Sequence, residues 1–105
     1  AMALGRVAVA TGYAGNMDFM TPETSRPVDY TLIPVGPDDY PHPQGQVWAD
    51  PDVDHAVRIL EALVDDPAEV RRVGAAARRR MRLEFSHRAG GLRYAARLEE
   101  ISARL

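Results

Sequence analysis

The sequence predicts an α/β fold with about two parallel strands and three or four helices, and three observations carry that reading. Val7-Ala8-Val9-Ala10 is apolar on both faces, as a strand covered on both sides of a parallel sheet is. Val28–Ile33 alternates as a second strand. The remainder holds three amphipathic stretches, each behind a helix-capping residue.

Ala1–Leu4 reads as the tail of a helix closed by Gly5, and Thr11-Gly12 turns the chain out of the first strand. In open α/β sheets ligands sit beyond the carboxyl ends of the strands, so the loop that begins at Thr11 is the first place to look for a site. Gly12-Tyr13-Ala14-Gly15 punctuates that loop, and Asn16 is placed to cap a short helix over Met17–Met20. Free N–H groups at Gly15-Asn16 would suit a phosphate or a sugar hydroxyl. A tight strand-to-helix turn with no ligand is the plainer alternative. A helix without a cap, feeding a strand buried on both faces, leads us to expect sheet and helix before Ala1.

In the second strand, Val28, Tyr30 and Leu32 share one face, and Asp29 and Thr31 on the other suggest an edge. The segment 34–46 holds four prolines and two glycines and reads as a stiff, ordered surface loop, with Tyr40 and His42 exposed for contacts. Val47-Trp48-Ala49, a short apolar island with the only tryptophan, is expected to fold back on the core. A helix over about 51–64 then starts with Asp50 as cap and Pro51 at the first helical position, its stripe being Val53, Ala56, Val57, Leu60 and Val64. Asp66 and Glu69 form a capping box for a helix over about 67–84, with Val70, Val73, Ala77 and Met81 inward. Ser86 caps the last helix, about 87–104, whose stripe is Tyr94, Leu98, Ile101 and Leu105; Gly90-Gly91 permits a bend.

Composition narrows the function. No cysteine is present, which excludes disulfides, thiolate metal sites and a cysteine nucleophile. No apolar run approaches the ~20 residues of a membrane span, and no signal peptide is visible. Asp50, Asp52, Asp54 and Glu61 fall on calcium-loop spacing, but His55 stands where that loop needs glycine, so we assign no metal. His55 itself reads as a solvent-facing helix residue. Ser25, Ser86 and Ser102 lack a nucleophile-elbow sequence. All thirteen basic residues are arginine, and they are unevenly spread: residues 1–66 hold three against eleven acids, residues 67–105 ten against four. The arginines of the 67–84 helix either bind a polyanion or pair with the acidic first half. With pI near 5.9 and no interleaved aromatics, nucleic acid is a poor fit.

Ala1-Met2-Ala3-Leu4-Gly5, Thr11, Gly15-Asn16 and Asp18, in that order and spacing, resemble a segment of retaining GT-B glycosyltransferases of family four, group 1 type. Val47–Asp52, Asp65-Asp66-Pro67, Gly74 and Phe85-Ser86 are similar to the C-terminal end of bacterial members acting on polysaccharide. The resemblance implies that residues 1–105 are the C-terminal part of a Rossmann-like nucleotide-binding domain. It implies a parent enzyme that moves a sugar from a nucleotide-sugar donor to a glycan or lipid-linked acceptor, without a cofactor, in the cytoplasm or at a membrane surface. Thr11, Gly12, Gly15, Asn16 and Asp18 would line part of the donor crevice. The family's two donor-site glutamates, eight positions apart, would precede Ala1, so no residue here is assigned to catalysis and the chain alone is expected to be inactive. A strand edge left open in this way would favour a homodimer. A stand-alone interaction or polyanion-binding module is the competing reading.

Overall fold

A computed structural model describes all residues, Ala1–Leu105. It is a mixed α/β structure with two separate two-stranded sheets and three α-helices. A 3-10 turn, Met2–Leu4, stands where a helix tail was expected, and Gly5 closes it in the left-handed region (φ 74°), as expected of that glycine. Strand β1 spans Val9–Thr11 and β2 spans Arg26–Val28, parallel, with Val9 opposite Arg26 and Thr11 opposite Val28. The crossover between them, residues 12–25, contains a second 3-10 turn, Ala14–Asp18. The first strand thus starts two residues later than expected, includes Thr11, and is half-buried rather than sealed on both faces.

The single strand expected over Val28–Ile33 is two strands. β2 ends at Val28, and β3, Tyr30–Pro34, pairs antiparallel with β4, Val47–Pro51. Asp29 is the break, and its backbone explains it: its N–H donates to Nδ1 of His55 (3.0 Å) and its carbonyl accepts from Asp52 N–H (2.8 Å). With both groups satisfied by the start of the next helix, Asp29 joins neither ladder. The proline-rich segment is a loop, as expected, and it joins the two strands of a hairpin that was not expected, between Pro34 and Val47. Val47-Trp48-Ala49 does not fold back on the core. It lies in β4 with Trp48 opposite Ile33, both exposed.

Helix α1 spans Val53–Asp65 and is capped by Asp52, whose carboxylate accepts from His55 N–H at 2.8 Å. Asp50 and Pro51, expected as cap and first helical residue, belong to β4 instead. Asp50 stands opposite Thr31 in the ladder, and the hairpin register outweighs the earlier capping signal. The stripe of α1 is also turned around: Ile59 and Leu63 are half-buried, whereas Val53, Val57, Leu60 and Val64 are exposed.

Helix α2 spans Pro67–Glu84, capped by Asp66 through Ala68 and Glu69 N–H, with Pro67 at the first position as expected. Glu69 does not close a capping box, because its carboxylate is taken by Arg26 and Arg72. Helix α3 spans His87–Ser102 with Ser86 as its cap.

The core is small. Met2, Met20 and Ala77 form its centre, with Ala8, Ala10, Phe19 and Met81 packed around them, and Val73 at 0% exposure beside Ala77 on α2. Its tightest point is Gly74: a Cβ there would stand 2.1 Å from the carbonyl oxygen of Gly5, so only glycine lets α2 seat on the first turn. Buried Ser25 donates its hydroxyl to Thr21 O at 2.7 Å. Outside this centre the chain spreads to 52 × 45 × 16 Å, with a radius of gyration of 18.1 Å. A compact chain of this length has about 13 Å. The accessible surface, 7908 Å², likewise exceeds the roughly 5,800 Å² of a compact protein of this mass. No helix is long and apolar enough to cross a membrane.

Candidate functional site

The loop after β1 is held by the strand pair beneath it. Gly12 N–H donates to Val28 O at 2.8 Å, and a Cβ on Gly12 would press on Pro27 Cβ at 3.1 Å, so this glycine serves the close approach of the two strand ends. Tyr13 N–H folds back on Thr11 O (2.8 Å). Asn16 is not a helix cap: it lies inside the 3-10 turn, whose leading residue is Tyr13, and its Nδ2 donates to Thr11 O at 3.1 Å. The side-chain amide thereby closes the loop on its own strand, and a turn of five residues offers no helix N-terminus to an anion.

Of the five residues expected to line a donor site, Thr11, Gly12 and Asn16 are half-buried and linked through the Thr11 carbonyl or the strand end. Gly15 and Asp18 are exposed. Asp18 caps nothing, since it ends the turn rather than starting it. A Cβ on Gly15 would meet no atom within 4 Å, so nothing in the protein requires glycine there.

Sequence reading missed what the fold brings beside this loop. The end of β2 leads directly into Asp29 and Tyr30, and the Tyr30 ring lies 5.0 Å from that of Tyr13, tilted by 58°. His55, expected to face solvent, is partly buried, with Nδ1 within 3.1 Å of Asp29 Oδ2 as well as accepting from Asp29 N–H. The rim beyond the strand ends thus carries the Tyr13–Tyr30 pair and the Asn16 amide, whereas His55 lines a separate cleft with Arg26 and Glu69. No local signal in the sequence marks these contacts, since Asp29 and Tyr30 lie inside one alternating run and the histidine comes from a helix 26 residues away.

Behind β2, Arg26 joins Glu69, which also pairs bidentately with Arg72 (2.6 and 2.8 Å). The Arg72 hydrogen bond holds the Glu69 carboxyl below its usual range, with the charge of Arg26 adding to it, and Glu69 in turn raises Arg72. Glu23 is likewise lowered, first by its own backbone N–H and then by Thr21. Glu69 and Arg72 thus hold each other in their charged forms.

No group of three His, Asp or Glu side chains is gathered as a metal site would need. Asp50 lies in β4, whereas Asp54 and Glu61 lie in α1, so the calcium-like spacing does not fall in one loop. The more pronounced clefts lie away from the Thr11–Asp18 loop. A cleft of about 760 Å³ lies along α2, between Leu4-Gly5 and Arg71, Arg78, Arg79 and Arg82. Compared with protein-family models, curated proteins and solved structures, the chain matches none.

Proposed function

We propose that this chain forms one wall of a nucleotide-sugar site in a glycosyltransferase, with the loop Thr11–Asp18 facing the donor. The observation that carries the reading is the parallel pair β1–β2, with Asn16 bonded to Thr11 O holding that loop beyond the strands' carboxyl ends. The resemblance of Ala1–Gly5, Thr11, Gly15-Asn16 and Asp18 to a donor-binding segment supports it, and so does the chemistry left free. Gly15 offers backbone that a ligand can approach closely, and Asp18 has a carboxylate able to accept from sugar hydroxyls. The tilted Tyr13–Tyr30 pair adds an apolar, aromatic side to the same rim.

Calorimetric titration with uridine, guanosine and adenosine diphosphates and the matching nucleotide sugars tests the reading. Weak binding of at least one nucleotide sugar is expected, and Asp18→Ala is expected to weaken it about tenfold, the size of one charged hydrogen bond to a hydroxyl. Free diphosphate binding should change little. No binding of any of these ligands, or equal binding by the Asp18→Ala chain, would contradict the assignment.

A further inference from the structure

Two uncovered faces of this molecule carry opposite charge on the same spacing. On α1, Val53, Val57, Leu60 and Val64 are exposed, with Asp54, Glu61 and Asp65 one position further round the helix. On α2, Arg71, Ala75, Arg78 and Arg82 repeat the same offsets, and they line the cleft together with Arg79, Leu83 and Leu4. The three acids and four arginines take no part in any ion pair; the carboxylates that pair with arginine are Asp52, Glu69, Glu84 and Glu100. Arg78 and Arg82 stand one turn apart, where like charges repel unless something negative lies over them. Leu4 is 79% and Val64 78% exposed, so each face also leaves apolar surface in water.

We propose that these faces are the two halves of one interface, with α1 of one copy of this chain seated along the α2 cleft of a second. The four-residue stripes match in length, each rising about 16 Å, so the rows can pack side by side. The carboxylates of α1 then lie against the guanidiniums of α2 while Val64 and Leu60 cover Leu83 and Leu4. The chain as a whole exposes roughly 2,000 Å² more than a compact protein of its mass, against the about 800 Å² per partner that a stable interface takes. A nucleic acid would answer the arginines but leave the α1 stripe, Leu4 and Leu83 uncovered, and no aromatic residue lies among these arginines to stack on bases.

Sedimentation velocity over a wide concentration range, with two charge-reversed chains, tests this. The unaltered chain is expected to gain mass with concentration, less so in high salt. Arg71→Glu/Arg82→Glu and Glu61→Arg/Asp65→Arg should each associate at least tenfold more weakly, and an equimolar mixture should recover association, because each reversed face finds its complement on the other variant. Leu60→Gln, exposed and uncharged, should weaken association with every charge in place. Circular dichroism checks that each variant keeps its helices. An unaltered chain that stays monomeric, or variants that stay apart when mixed, would overturn the proposal. So would variants that associate as the unaltered chain does, which would point to the free edge of β1. Arginine-dependent retention on heparin by a strictly monomeric chain would overturn it too and give the cleft to a polyanion.

Discussion

Helices α2 and α3 have the same design in sequence and opposite circumstances in the structure. Both are capped by a side chain, Asp66 and Ser86, both run four turns or more, and both carry apolar residues at helical spacing. Yet α2 buries Val73, Gly74 and Ala77, whereas α3 buries nothing, and Tyr94, Leu98 and Ile101 face water. The difference lies in what the chain supplies opposite each. Gly74 and Ala77 are small enough for the Gly5 turn and Met2 to close on them. Only the first half of α3 is held, by Arg93 donating to Glu84 O at 2.6 Å and lying over the Phe85 ring. Periodicity therefore states that a face can be covered, and the presence of a neighbour decides whether it is.

The strongest way to break this contrast is at its tightest contact. Gly74→Ala places a methyl group on the Gly5 carbonyl and is expected to cost about 3 kcal/mol, read as a lowered urea midpoint. An unchanged midpoint would mean that α2 is not seated on the first turn. Cavity formation comes next: Met20→Ala should cost about 2 kcal/mol or more, since Met20 is 1% exposed in the core. Leu98→Ala on α3 should stay within about 0.5 kcal/mol, and a loss comparable to that of Met20→Ala would show that α3 is covered in solution.

The smallest expected effect is electrostatic. Because the folded-state pKa of Glu69 is depressed, chiefly by Arg72, the pair contributes stability above the unfolded carboxyl pKa and loses it as pH falls through the folded value. Acidification from neutrality to below the ordinary value of 4.5 should therefore lower the midpoint slightly more in the unaltered chain than in Glu69→Gln. Both side chains meet solvent, so the difference is modest. Equal pH profiles would remove this pair from the account.

These regions also differ in how far they could be read from the sequence. The helices were legible because caps and stripes are local: Asp66-Pro67 and Ser86 mark their starts within a residue or two of where they fall. The start of α1 was not, because Asp50-Pro51 and Asp52 offer competing signals and the choice is made by β3, which takes Asp50 and Pro51 into its ladder. The split at Asp29 was equally hidden, since one alternating run looks the same whether one neighbour or two pair with it. The loop after β1 falls where the sequence puts it, but the role of Asn16 does not. A capping residue and one that folds back on Thr11 O share the same sequence context, and only the 3-10 geometry separates them. The Tyr13–Tyr30 and Asp29–His55 contacts are non-local, and no spacing rule reaches them.

The central claim, that the loop beyond β1 and β2 faces a nucleotide sugar, is tested most directly by mapping amide shifts during titration with the nucleotide sugar that binds best. Shifts centred on Thr11–Asp18 and reaching Tyr30 are the predicted result. Shifts centred on Arg71–Arg82 with the loop unmoved would contradict it, showing that the arginine cleft of α2 captures the phosphates and that the strand-end loop is no donor site.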